Sequence, residues 1–306
     1  MIYRPENQLI LFGLKKFLNE LIYLYEQKKL PNKILLSGQK GLGKCTMAYH
    51  LINYALSEGE EFSYNTNQNE INPLNRSYKL IQNNSNTNFD LIDVSSDKRS
   101  IDIDQIRKLI QKLKTSSFNN KPRFILIDNI DYLNKNAINA LLKILEEPSK
   151  NVFFILINNN KKVLATLKSR CLDFKIFLDN KESQSICKKI LGKDFSDQIN
   201  NELLDYYSTP GKILNLIEFS ESNSIDLKDM KLGDFLTLVI DKSYYKKDSQ
   251  IKFFIYDFFE LFLTRKFSSK HLDFREYFLK QMNNIKKFNL DEESLFIEFR
   301  NKLLNG

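Results

Sequence analysis

The residues able to do chemistry gather first in Ser37-Gly38-Gln39-Lys40-Gly41-Leu42-Gly43-Lys44-Cys45-Thr46. Glycines at this spacing let backbone N–H groups close around an anionic oxygen. A helix starting just after them adds partial positive charge at its first turn, and Lys44 adds a full one. Gly38, Gly41, Gly43 and Lys44 therefore have the pattern of a phosphate-binding loop. With 9 glycines in 306 residues, the pattern would arise by chance in about 0.03 chains of this composition. One position departs from it. Where a Ser or Thr hydroxyl would hold magnesium stands Cys45, whose soft thiol is a poor ligand for a hard cation. Thr46 is one residue further along the helix, turned by about 100°, so it is expected to point away from the phosphates.

The second chemical position is Asp128, at the end of the apolar run Phe124-Ile125-Leu126-Ile127. A carboxylate at such a strand end is where phosphate-loop ATPases hold magnesium, and an active one needs a carboxylate that polarises the attacking water. Asn129 takes the next place, and an amide can orient water but cannot accept its proton. Nothing in its spacing recommends Asp131 as a substitute. These residues describe a pocket able to hold ATP or ADP without hydrolysing it, with no cofactor required. No metal site is expected, since Cys45, Cys171 and Cys187 lie far apart with only His50 and His271 to add.

The elements that must position these groups follow from periodicity. Apolar residues recur at helical spacing over 7–29. A buried strand at Ile34-Leu35-Leu36 leads into the loop and a helix to about Ser57. Residues 58–88 read as a loop-rich, mobile insertion. Phe89 to Val94, Arg123 to Asp128 and Val152 to Ile157 read as strands. Between them lie a helix opening near Ile101-Asp102-Ile103 and a strong amphipathic helix from Ala137 to Glu147, stopped by Pro148. Strands without polar alternation, separated by helices, predict a parallel sheet covered on both faces. The expected organisation is an α/β nucleotide-fold domain over 1–178, a helical lid over 179–222 and an all-α domain over 223–306. The block Ile251 to Leu263 is too apolar around its circumference for a lone surface helix.

Composition bounds the rest: 42% hydrophobic residues, 12% aromatics and a formal charge of +8 over 46 basic and 38 acidic side chains. That excess fits a phosphate-bearing partner without demanding one. No apolar run approaches the roughly 20 residues that span a bilayer. Met1-Ile2-Tyr3-Arg4-Pro5-Glu6 carries no signal-peptide pattern, so a cytoplasmic location away from membranes is expected.

Four stretches resemble the clamp-loader branch of the AAA+ ATPases. They are the loop Gly38 to Lys44, the run Leu126-Ile127-Asp128-Asn129, the helix Asn139-Ala140-Leu141-Leu142-Lys143-Ile144-Leu145-Glu146-Glu147-Pro148, and the triplet Ser169-Arg170-Cys171. The resemblance covers roughly 5–218. It implies an AAA+ phosphate-loop domain, a helical lid and an oligomerising collar that would explain the apolar block. It implies that Arg170 projects in trans into a neighbour's ATP site, where a guanidinium stabilises charge on the transferring phosphoryl group. It also implies that Asn158 is a polar phosphate sensor and Lys212 a second, basic one. The partners implied are ATP-hydrolysing gamma/tau-type and delta-type subunits in a hetero-oligomer, the sliding clamp, and primed DNA, which Lys98, Arg99 and Arg107 could approach. Many such proteins carry a cysteine zinc module after the first helix pair; 58–88 has no cysteine, so no zinc is expected. Rival readings are an ATP-hydrolysing motor subunit and an unrelated phosphate-loop kinase or DNA-repair ATPase.

Overall fold

In the computed structural model the described residues are 3–95, 100–114, 121–146, 151–159, 165–195, 197–204, 208–247, 249–266, 272–288 and 290–304. The chain forms two compact units, Met1–Ile186 with Thr209–Gly211, and Cys187–Ser208 with Lys212–Gly306. Residues read above as lid and as all-α domain thus fall largely in one body.

The first unit contains α1 (Lys15–Glu26), β1 (Lys33–Ser37), α2 (Lys44–Leu56), α3 (Arg76–Gln82), β2 (Phe89–Ile92), α4 (Ile103–Leu113), β3 (Arg123–Ile127), α5 (Lys135–Glu146), β4 (Val152–Asn158), α6 (Ala165–Lys168) and β5 (Leu172–Lys175). The strands make one parallel sheet in the order β2-β3-β4-β1-β5. Alternate side chains face opposite sides. Leu35, Ile125, Ile127, Phe154 and Leu156 join Ile106 and Leu109 of α4 and Leu141 and Leu145 of α5 in one core. On the other side Tyr25 of α1 packs its ring against Phe124, Phe153 and the Tyr54 ring of α2. Both faces are covered, as the unbroken apolar strands require.

Three local expectations need correction. The first helix begins at Lys15 rather than residue 7, because Gly13 sits at φ +83°, outside helical geometry. Residues 9–11 run extended instead, with Leu11 N donating to Asn69 O and Ile71 N to Leu9 O. Second, the 58–88 insertion is docked. Asn75 caps α3 through Tyr78 N and donates to Phe62 O, Ser77 Oγ lies between Leu56 O and Glu60, and Tyr64, Ile71 and Ile81 are buried. Side-chain amides and hydroxyls satisfy buried backbone groups in this segment. Third, β5 is an edge strand that periodicity did not reveal.

Residues 180–191 form α7, which spans the boundary between the units. The second unit continues with α8 (Asn201–Leu204), α9 (Pro210–Asn223), α10 (Leu232–Asp241), α11 (Tyr244–Lys247), α12 (Ser249–Lys266), α13 (Leu272–Phe288) and α14 (Glu293–Phe299). Helix α12 carries the apolar block and is its central element. Phe258 meets Phe235 of α10 at 5.2 Å and Phe259 meets Phe299 at 4.0 Å. Ile255, Phe259 and Leu263 are fully buried within this unit. Residues 255–263 of the block are therefore covered largely from within the chain. No helix among the described residues is long and apolar enough to cross a membrane.

Candidate functional site

Parallel strands bring their C-terminal ends to one edge, where ligands of open α/β sheets bind. Register places Ile92 beside Ile127 and Ser37 beside Asn158, so Asp93, Asp128 and Asn159, each one residue further, converge next to the loop that leaves β1. The loop turns on Gly38, Gly41 and Gly43, all at positive φ. A Cβ on Gly38 would stand 2.3 Å from the Ile176 carbonyl oxygen, so only glycine fits. Gly211 N donates to Gly41 O at 2.8 Å and Thr209 Oγ1 to Lys40 O at 2.8 Å, bracing the loop from outside.

Lys44, the first residue of α2, is buried and its ammonium is fully engaged by the protein. Nζ donates to Gly38 O (2.8 Å), Gln39 O (2.6 Å) and Asn159 Oδ1 (2.9 Å). Burial pulls its pKa down to about 8, against the opposing pull of Asp128 and Asp131. From Asn159 the contacts run on: Nδ2 donates to Asn129 Oδ1 at 2.8 Å, and Asn129 Nδ2 donates to Asp93 Oδ1 at 2.9 Å. The backbone N–H of Asn159 donates to Asp131 Oδ2 at 3.0 Å. One chain of amides links the ends of β2, β3 and β4 to the loop lysine. Asn129 adopts φ +53°, a left-handed conformation that asparagine tolerates better than other non-glycine residues.

Asp128 faces Cys45. Burial and the Asp93 carboxylate raise its pKa to about 6, opposed by the Asn129 N–H, the Cys45 thiol and Lys44. Burial and the neighbouring Asp128 push the Cys45 thiol well up, away from the thiolate form that binds metals. Cys45 puts a soft sulfur where the hard-oxygen shell of magnesium takes a hydroxyl, and the Asp93 and Asp128 carboxylates are oxygen donors at this edge. Thr46 is half-buried in the same turn of α2. Among the described residues no group of three or more His, Cys, Asp or Glu is poised to hold a metal.

The two sensor positions behave differently. The side chain that reaches Lys44 belongs to Asn159, one residue beyond the Asn158 singled out in the sequence. Asn158 is buried, with its Oδ1 unpaired among the described residues. Lys212, in α9, forms an ion pair with Asp257 of α12. Lys98 and Arg99 lie outside the described residues; Arg107 is exposed beside Asp104 at 3.4 Å.

Arg170 stands elsewhere. It precedes β5, whose Leu172 pairs with Ile34 near the start of β1. The phosphate loop leaves the other end of β1. Four residues at about 3.3 Å each put these ends about 13 Å apart. The guanidinium donates Nη1 to Thr166 O at 2.9 Å and Nη2 to Glu146 Oε1 at 2.7 Å, and it is partly exposed.

Residues 13–179 match the family model described as DNA polymerase III, delta subunit. The chain belongs to that family. It is 28% identical over 283 residues to a DNA polymerase III subunit delta′ of Buchnera aphidicola subsp. Schizaphis graminum, covering 87% of this chain and 83% of the relative. A DNA polymerase III subunit gamma of the same organism is 28% identical over 236 residues, 74% of this chain and 62% of that protein. The crystal structure of a DNA polymerase III gamma subunit-related protein from Thermotoga maritima superposes with a TM-score of 0.47 at 17% identity, covering 91% of this chain and 96% of that one. Membership in the delta family, with gamma relatives beside it, agrees with the clamp-loader resemblance of the sequence motifs.

Proposed function

We propose that this chain is a cytoplasmic clamp-loader subunit of a DNA polymerase III, with a degenerate ATP site of its own and an arginine finger for a neighbour's. The observation that carries the proposal is the placement of its two cations. Lys44 is satisfied by protein acceptors inside its own loop, whereas Arg170 lies at the far end of the same sheet, partly exposed. A phosphate served by Arg170 belongs to another chain.

The chemistry of the strand ends supports this division. Asn129 holds the position of the water-polarising carboxylate, and its amide is tied to Asp93 and Asn159. Asp131, the remaining carboxylate, accepts the Asn159 N–H. With a thiol in the place of the magnesium-binding hydroxyl and no free base beside it, this pocket supports no turnover. The buried Oδ1 of Asn158, unpaired among the described residues, still offers a polar atom for a ligand, so ATP or ADP held without hydrolysis belongs to the proposal. The partners are gamma/tau-type and delta-type subunits, with the sliding clamp and primed DNA reached through the assembly. The helices of the second unit serve as its collar. Exposed Phe274, Tyr277 and Ile297, rather than the buried block of α12, are the surface available for that contact.

The test is reconstitution with gamma/tau-type and delta-type subunits. Arg170→Ala is expected to leave assembly intact and to lower DNA-stimulated ATP turnover, since an arginine finger is worth about 10³-fold or more at the site it serves. Unchanged turnover overturns the role in trans.

A further inference from the structure

The carboxylate beside Arg170 has no assigned part in the reaction. Glu146 ends α5 as described (Lys135–Glu146), and its Oε1 accepts from Arg170 Nη2 at 2.7 Å. The Leu145 carbonyl in the same turn takes its hydrogen bond from Lys33 Nζ at 3.0 Å, as a helix end requires. An acidic side chain at this end meets the negative pole of the helix dipole, so its placement does not favour α5 itself. The pair is also too exposed to be an important stability element, with side chains 53% and 32% accessible.

What the pair does have is fixed anchorage at both ends. Leu145, the neighbour of Glu146, and Leu167, in the turn before Arg170, are buried in the same core, and Cys171 packs against it. The two backbones are rigid with respect to each other, and the freedom left is in the long arginine side chain. Thr166 O and Glu146 Oε1 remove it by holding one N–H on each terminal nitrogen. A guanidinium has five N–H donors in a planar fork. Holding two fixes the plane and leaves three to meet an anion arriving from outside.

We infer that Glu146 is a positioning residue that presents the Arg170 guanidinium to the phosphates of an adjoining subunit's nucleotide. The inference rests on the proposed role of Arg170 in trans. Preorganisation of this kind acts on the reaction step more than on nucleotide capture, because a loosely held guanidinium seldom has the geometry the transferring phosphoryl group needs.

The experiment uses the reconstituted complex with Arg170→Ala, Glu146→Ala, Glu146→Gln and the double Ala variant. The expected result is a three- to tenfold loss of DNA-stimulated kcat for Glu146→Ala with KM for ATP unchanged. Glu146→Gln keeps an acceptor oxygen and is expected to retain most of the rate. Glu146→Ala should add nothing to Arg170→Ala, since the two act as one unit. A Glu146→Ala rate equal to the parent overturns the inference, and so does a faster rate, which would make Glu146 a latch. If Arg170→Ala is itself silent, the role in trans fails first, so the two failures are distinguishable. Thermal unfolding of the isolated variants checks that each is folded.

Discussion

Two strands lying side by side in one sheet, β1 and β5, each carry a cation at one end, and the two stand in opposite surroundings. Beyond β1, Lys44 is buried under three protein acceptors and linked through Asn159 and Asn129 to Asp93. Before β5, Arg170 has one side-chain partner among the described residues, Glu146, and reaches the surface. Burial explains the contrast. An ammonium taken out of water must have its hydrogen bonds met internally, so the first region is closed upon itself. A guanidinium at the surface, with donors to spare, can still recognise something else. One sheet thus holds a cation turned inward and a cation turned outward, and the proposed division of roles rests on that difference.

Four changes sharpen or break this contrast, in falling order of expected effect. Gly38→Ala drives a Cβ onto the Ile176 carbonyl and is expected to cost about 3 kcal/mol in chemical denaturation; a neutral result would show the loop is not braced. The second concerns the closed region's response to acid. Buried His50 on α2 accepts from Tyr64 OH at Nδ1 and donates Nε2–H to Gln8 O, and burial lowers its pKa from 6.5 to about 4. A depressed histidine pKa means that the unfolded chain binds the proton more readily. Stability from this group is therefore full above about pH 6.5 and falls as pH drops toward 4, by on the order of 3 kcal/mol. A non-titrating residue at 50 should flatten that limb of the pH profile; an unchanged limb would assign it elsewhere. Third, Cys45→Ser is expected to tighten magnesium-nucleotide binding by up to about tenfold, roughly 1.4 kcal/mol by calorimetry, with no hydrolysis while Asn129 remains. Robust turnover by that variant would mean the base is misassigned. Last, Arg170→Ala in the isolated chain should shift stability by less than about 1 kcal/mol, since an exposed pair contributes little; a larger loss would mark it as structural.

Much of this was legible in the sequence wherever one chemical type repeats with a period. The strands at 33–37, 123–127 and 152–158 announce themselves by apolar runs, 89–92 by a shorter one that Asp90 interrupts, and the loop by its glycines. What stayed hidden depends on side chains meeting across the fold. Leu172–Lys175 is a short edge strand with two exposed ends, so it lacks the apolar run of its neighbours. The insertion reads as polar drift because Asn75 and Ser77 are buried through hydrogen bonds, which no hydropathy pattern reveals. Asn159 follows directly after Asn158, and only the register of β4 against β1 decides which of them meets Lys44. The apolar block at 251–263 signals burial correctly, but periodicity alone cannot say whether the cover comes from within the chain or from outside it.

The most direct test sets the two cations against each other in the reconstituted complex, measuring DNA-stimulated ATP turnover for Lys44→Met and Arg170→Ala side by side. Lys44→Met is expected to stay within about twofold of the parent, while Arg170→Ala loses the neighbouring site's contribution, about 10³-fold at that site. The reverse pattern, with turnover lost on Lys44→Met and untouched by Arg170→Ala, would contradict the account and make this chain a motor in its own right.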